Sequence, residues 1–437
     1  MAETIKVGMV SLGCPKNQCD AELMLAKIAK AGFKIVNEAG LADVVIINTC
    51  GFIQSAKEEA IEEIMEAISR KNDGINKKII VTGCLAERYQ KQMDEEFPEI
   101  DAVVGIAKND DIVEIINSVM LDRRVVTFGD KLQSTLPHYA YLRIADGCSN
   151  KCSYCAIPLI RGKMRSRKME NIIEEAKKFA ENGVKELVIV AQDVTAYGID
   201  LYKKYALPDL LKQLCKIDGI KWIRLLYCYP ERMTDELIET IKTEDKVLNY
   251  IDIPIQHCNK EILRNMYRGG DEQSLRELFA KLRREIPGVV LRTTLITGFP
   301  GETEEQFSEL AEFVNDIKFE RLGCFAYSAE EDTPAAEMPD QVDEGERQRR
   351  ADIITSEQEI RMGEYYAGMV GNTYEVVCEG FDRYSDMYFG RSMHFAPEID
   401  GMIYFTSAKD KSSLTIGDFV NVKITDVLEN NLLGERV

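Results

Sequence analysis

Six of the twelve cysteines in this 437-residue chain fall into two sets whose placement suits metal chemistry. Cys148, Cys152 and Cys155 form a C-x3-C-x2-C run just after the apolar segment that begins at Tyr141. Three thiolates so close together suit an iron–sulfur cluster, whose irons are normally held by cysteine sulfur. With three protein ligands, a four-iron cluster keeps one iron open to a reactant. Two other readings stand beside this one. Zinc normally takes a fourth protein ligand, and His138 and His257 lie too far along the chain to be assumed as one. Three unrelated core thiols is the plainest reading, and the tight spacing speaks against it.

The second set is Cys14, Cys50 and Cys84. Each ends a run that reads as a buried parallel strand: Lys6-Val-Gly-Met-Val-Ser-Leu, Asp43-Val-Val-Ile-Ile-Asn and Lys78-Ile-Ile-Val-Thr. Between the last two, Ser55-Ala-Lys-Glu58 reads as a capping box, and Ile61, Ile64, Met65 and Ile68 recur at helical spacing. Strands alternating with helices predict a doubly wound parallel sheet over residues 1–120. The carboxyl ends of such strands line the ligand crevice. Three cysteines distant in sequence would thus meet at one rim. The plainer alternative is that cysteine is a small buried residue favoured at strand ends.

Residues 121–139 are mostly polar and read as a linker. Over 140–367 six further strand candidates alternate with helices: Tyr141–Ala145, Glu186–Ala191, Trp222–Tyr227, Tyr250–Ile255, Val289–Thr294 and Arg321–Tyr327. Six such units suit a partial parallel barrel with its active site at the strand carboxyl ends, where the cysteine triplet falls. A charged, helix-prone stretch runs from Asp343 to Tyr366. Residues 368–437 then change to short strands (Thr373–Cys378, Met402–Thr406, Phe419–Val427). They predict a small antiparallel β-barrel, the size of an RNA-binding or protein-binding appendage.

Charge limits the partners. The net charge is −19, and residues 371–437 hold six Lys and Arg against eleven Asp and Glu. Phosphate backbones are bound through Lys and Arg, so stable DNA binding is not expected and a protein or small-molecule target is favoured. Arg161, Lys163, Arg165, Arg167 and Lys168 form the one dense basic run. It reads either as a solvated face or as a contact to an anionic cofactor or substrate. The chain has no apolar stretch of 18 residues and no signal-peptide pattern at its start, which predicts a cytoplasmic protein with reduced thiols. Cys19, Cys215, Cys228, Cys258, Cys324 and Cys378 follow no ligand spacing and read as structural. Three scattered histidines give no sign of a hydrolytic triad.

Cys148-Ser-Asn-Lys-Cys152-Ser-Tyr154-Cys155, with an aromatic before its last cysteine, resembles the signature of radical S-adenosylmethionine (SAM) enzymes. Together with Cys14, Cys50 and Cys84 it resembles the methylthiotransferases of that superfamily, over essentially the whole chain. Five segments resemble the RimO branch, which acts on ribosomal protein S-twelve. They are Leu12-Gly-Cys-Pro-Lys-Asn17, Ile157-Pro-Leu-Ile-Arg-Gly162 with Arg165-Ser-Arg167, Ala191-Gln-Asp-Val-Thr-Ala-Tyr-Gly198, Pro254-Ile-Gln-His257 and Ala396-Pro-Glu-Ile-Asp-Gly401. The sister branch, MiaB, modifies a tRNA adenosine beside the anticodon. It usually carries Gly-Cys-Gln-Met-Asn at the first segment and Gln-Asn at the third. A non-catalytic iron–sulfur scaffold or RNA-binding adaptor is the remaining reading, and such a scaffold would need no SAM pocket.

The resemblance implies an amino-terminal cluster domain, a radical SAM core and a terminal TRAM barrel. It implies methylthiolation at the β-carbon of an aspartate, with two 4Fe-4S clusters and SAM as both radical source and methyl donor. Cys148, Cys152 and Cys155 would hold the SAM-cleaving cluster, and Cys14, Cys50 and Cys84 the one that carries sulfur. Tyr154, Gln192, Asp193, Gln256, Arg292, Gly298 and Glu302 are the implied cofactor contacts. Implied partners are S-twelve (free or in the small subunit), an electron donor such as flavodoxin or ferredoxin, and a sulfur donor.

Overall fold

The computed structural model describes residues 4–51, 53–120, 135–406 and 414–437. The first sheet is fully parallel, in the order β2-β1-β3-β4-β5. Its strands are β1 (Lys6–Ser11), β2 (Lys34–Val36), β3 (Val44–Thr49), β4 (Lys78–Gly83) and β5 (Ala102–Val103). Every residue of β3 is buried, because helices cover both faces. Val45 and Ile47 pack toward the side of α2 (Gln54–Asn72) and α3 (Cys84–Glu96), while Val44 and Ile46 pack toward α1 (Pro15–Lys30). The strand order reverses between β1 and β3, the switch point where such sheets open a crevice.

Helix α2 departs from its expected pattern. It begins at Gln54 after Ile53, with no side-chain cap, and Gln54 Nε2 instead donates to Glu58 Oε1 at 3.0 Å. The buried face is Ala60, Ile64, Ala67 and Ile68, whereas Ile61 and Met65 are 40% and 53% exposed. Two alanines let the helix lie close to the sheet, which turns the larger neighbours outward.

The second sheet is also parallel, in the order β13-β12-β11-β10-β9-β6. It contains β6 (Tyr139–Arg143), β9 (Glu186–Val190), β10 (Trp222–Leu225), β11 (Val247–Asp252), β12 (Val290–Thr297) and β13 (Arg321–Ala326). It stays open between β6 and β13 and forms a partial barrel. The first expected strand splits. β6 ends at Arg143, and β7 (Ala145–Asp146) pairs with β8 (Arg165–Ser166) as a short ribbon around the triplet loop. Leu142, Leu187, Ile189, Ile223, Ile251 and Leu291 meet the outer helices. Tyr139, Tyr141, Val188, Val190 and Tyr250 fill the concave side. The linker expected over 121–139 lies, from 121 to 134, outside the described residues.

The last five strands close into a barrel: β14 (Thr373–Asp382), β15 (Met387–Ser392), β16 (Ile403–Thr406), β17 (Phe419–Leu428) and β18 (Asn431–Arg436). It is not wholly antiparallel as expected, since β16 and β18 pair in parallel. The long helix Glu344–Met369 leads into it and gives Tyr366 and Met369 to its core. Among the described residues, no helix is long and apolar enough to cross a membrane.

The small barrel seals the amino-terminal end of the partial barrel. Val377 and Ala396 join the concave cluster, and Phe419 meets the Trp222 ring edge-on at 4.8 Å. A buried ionic chain crosses the junction. His138 Nε2 lies 2.9 Å from Glu379 Oε1, and Arg391 Nε donates to that same oxygen at 2.7 Å. Arg391 Nη2 donates to Glu186 Oε2 at 2.8 Å, and Arg224 Nε to Glu186 Oε1 at 2.7 Å. Burial alone would raise the Glu186 carboxyl, but Arg391 and Arg224 outweigh it and hold it at about 2. Its contribution to stability is therefore complete above the ordinary value of 4.5 and is lost as pH falls toward 2. Glu186→Gln leaves two arginines without their shared carboxylate. It is expected to destabilise the protein by roughly 3–5 kcal/mol, read as a lower urea midpoint at neutral pH. The gap to the parent should narrow in acid.

Candidate active site

Cys14, Cys50 and Cys84 follow β1, β3 and β4 and meet at the crevice. Cys14 is the N-cap of α1, with Pro15 opening the helix, and Cys84 is the first residue of α3. Gly13 adopts φ +90°, and a Cβ there would sit 2.8 Å from Cys50 Sγ. Only glycine lets these two loops approach so closely. Asn17 joins all three loops. Its Nδ2 donates to Leu12 O at 3.0 Å and Thr49 O at 2.9 Å, and its Oδ1 accepts from Cys84 Sγ at 3.5 Å.

The triplet lies on the loop after β7. Cys148 N donates to Gly162 O at 3.0 Å, and Ser153 N to Met266 O at 3.0 Å. A network of Asp193, Asn150 and Arg232 steadies the stretch between Cys148 and Cys152: Asn150 Nδ2 donates to Asp193 Oδ2 at 3.0 Å and Arg232 Nη2 to Asn150 Oδ1 at 2.8 Å. Both cysteine sets line one cavity of about 870 Å³ at the carboxyl ends of the barrel strands. All twelve cysteines lie among the described residues, and none forms a disulfide.

Arg161 links the two sets. It is buried, donates to Asn17 Oδ1 at 2.8 Å, and pairs with Asp20 at 3.0 Å and Asp146 at 3.1 Å. The basic run is therefore not one surface: Arg161 is internal, Arg167 pairs with Glu175 at 2.6 Å, and Arg165 is largely exposed.

Burial pushes the Cys84 and Cys155 thiols up to about 12 and raises Cys148 as well. Burial acts on Cys14 too, but the Lys16 ammonium, the Asn17 N–H and Arg161 outweigh it and hold Cys14 below the ordinary thiol value. Such thiols ionise when a metal replaces their protons. Among the described residues, no three His, Cys, Asp or Glu side chains converge tightly enough to share one ion. Each set brings three thiols to the cavity wall, the donor type that an iron–sulfur cluster takes.

The expected cofactor contacts divide. Tyr154, Gln192 and Gln256 line the cavity. Among the described residues, both amide atoms of Gln192 are buried without a hydrogen-bond partner, as befits a side chain that awaits a ligand. Gln256 and Tyr227, just past adjacent strands, have φ of 72° and 64°. This is strain of the kind held at functional sites.

Asp193, Arg292, Gly298 and Glu302 do not line that cavity, and each is engaged by other residues of the chain. The Asp193 carboxylate is taken up by Asn150, Arg232, Thr195 Oγ1 (2.5 Å) and Ala196 N (3.1 Å), so it orients the triplet loop. Arg292 is paired with Asp252 at 2.8 Å. Gly298 leaves room for Arg347, whose Cγ would lie 2.3 Å from a Cβ there. Glu302 accepts from Gly298 N at 2.9 Å and pairs with Arg350 at 2.8 Å, fixing the turn before its helix.

Sequence reasoning missed Arg268, Lys16 and the role of Asn17. Arg268 stacks on Tyr229, 4.2 Å from the ring centroid, and its Nη1 reaches Tyr154 Oη at 3.5 Å. The ammonium of Lys16 lies 3.7 Å from the Tyr227 ring centroid. The available signal for Lys16 and Asn17 was their place in the first turn of a helix capped by Cys14, a candidate ligand.

Three family descriptions match the chain. They are the Radical SAM superfamily over residues 142–314, Uncharacterized protein family UPF0004 over 6–105, and the TRAM domain over 370–437. The chain is 48% identical to a protein of Caldanaerobacter subterraneus subsp. tengcongensis named "Ribosomal protein uS12 methylthiotransferase RimO", covering 98% of this chain and 99% of that one. A protein of the same name from Desulforamulus reducens is also 48% identical, with the same coverage. Among solved structures, the radical SAM methyltransferase TsrM from Kitasatospora setae superposes with a TM-score of 0.56 at 13% identity. That match covers 76% of this chain and 77% of TsrM, and it speaks for the fold alone.

Proposed function

Because the chain belongs to the radical SAM methylthiotransferase family, with its RimO relatives, we propose that it methylthiolates the β-carbon of an aspartate in ribosomal protein S-twelve. It is a transferase. The observation that carries this reading is the convergence of two three-thiol sets on one cavity.

Cys148, Cys152 and Cys155 would hold one 4Fe-4S cluster, and Cys14, Cys50 and Cys84 a second. A cluster with bound SAM supplies hydrogen-atom abstraction, chemistry that no side chain offers for an unactivated C–H bond. The chain's own residues bind, orient and exclude water. Gln192 presents an unsatisfied amide and Tyr154 its loop to the cofactor, while Pro254, Ile296 and Phe325 add apolar wall. Asn17 and Arg161 tie the loops of the two sets together. A flavodoxin- or ferredoxin-like electron donor and a sulfur donor complete the reaction, and SAM serves as radical source and as methyl donor.

The test is mass spectrometry of ribosomal proteins and tRNA from cells lacking the gene. An S-twelve peptide lighter by about 46 Da, the difference between SCH3 and H, is expected. A change confined to tRNA would replace this reading with adenosine methylthiolation.

A further inference from the structure

Two buried cations face the cavity without a carboxylate. Among the described residues, neither Lys16 nor Arg268 has an acidic side chain within ion-pairing distance. The other arginines on the wall are committed. Arg161 is held by Asp20 and Asp146, and Arg347 donates to Val342 O, Tyr327 O and Gln341 Oε1.

Lys16 is the harder of the two to explain by stability. It is only 8% exposed and sits in the first turn of α1, where the helix dipole disfavours a cation. It packs on the face of Tyr227, an interaction of modest strength, and the Asp252 carboxylate, which attracts it from beyond ion-pairing distance, is already held by Arg292. A buried ammonium so placed is costly unless an anion comes to it.

Its position says which anion. Lys16 lines the cavity together with Cys14 of one set and Cys155 of the other. The carbon to be modified must lie between these sets. In aspartate that carbon is bonded directly to the carboxyl carbon, so the group that grips the carboxylate also sets the C–H bond. Arg268, against Tyr154 and Tyr229, stands on the triplet side and suits the carboxylate of SAM. We propose that Lys16 receives the side-chain carboxylate of the target aspartate and thereby sets specificity for aspartate over asparagine. This rests on the functional reading above. Aspartate and asparagine both offer the ammonium an acceptor oxygen, but only the carboxylate carries a charge that offsets its own.

The test uses cluster-reconstituted, full-length protein and two fluorescent peptides copying the S-twelve loop, one with the target aspartate and one with asparagine there. A charge-assisted hydrogen bond contributes about 1.5–3 kcal/mol, on the order of 10- to 100-fold in Kd. The parent is expected to prefer the aspartyl peptide by that factor. Lys16→Met should bring the preference near unity by weakening only the aspartyl peptide, with parental iron content and electron paramagnetic resonance (EPR) signals. Lys16→Arg should recover part of it. If the parent prefers and converts the aspartyl peptide while Lys16→Met keeps the preference, or loses affinity for both peptides equally, the role of Lys16 is overturned. If the parent neither prefers nor converts that peptide, the functional reading itself falls, and this inference with it.

Discussion

Replacing Cys152 with alanine is expected to reduce 5′-deoxyadenosine formation from SAM to background. The triplet loop is already shaped for its ligands: Gly162 O and Met266 O anchor it, and Asn150 fixes the stretch before Cys152. The side of the wall beside Cys152 is taken up by Arg268 and Tyr229, neither of which offers a sulfur. Two remaining thiolates cannot hold a four-iron cluster at the low potential that cleavage of SAM requires. Chromatography of the nucleoside product reads the loss. About half of the iron should be missing from the reconstituted variant.

Cys50→Ala should behave differently. Cys50 lies across the cavity, at the end of the fully buried β3 and against Gly13. Removing its sulfur opens the second set but leaves the triplet loop untouched. SAM cleavage is expected to persist while the methylthio product, followed by mass spectrometry of the substrate, disappears. Full product formation by this variant would sink the division of labour between the two sets.

The parts of this arrangement that were legible in the sequence share one property: they follow from local pattern. Buried parallel strands announce themselves as apolar runs, so Cys14, Cys50 and Cys84 could be assigned to strand ends and the ends to one rim. Helix α2 was placed but misrotated. Four large apolar residues outweighed Ala60 and Ala67 in the pattern, although close approach to the sheet favours the small pair. For the implied cofactor contacts, the local pattern is silent on the tertiary partners each side chain meets. Nothing local reveals that Asp252 claims Arg292, or that Arg347 fills the space above Gly298. Arg268 was invisible for the converse reason, since its value lies in facing the cavity with no carboxylate within ion-pairing distance among the described residues. The parallel pairing of β16 with β18 was likewise beyond reach, because either strand direction satisfies the same alternation of residues.

The partial barrel is closed at its amino-terminal end by Val377, Ala396 and the Glu186 ion pairs, whereas both cysteine sets open at the other. Among the described residues, approach from the sealed end is therefore blocked. Where small reactant and polypeptide share the open side, whichever lies deepest is expected to arrive first and depart last. Sequential kinetics of this kind would be imposed by the architecture, before any difference in affinity is considered.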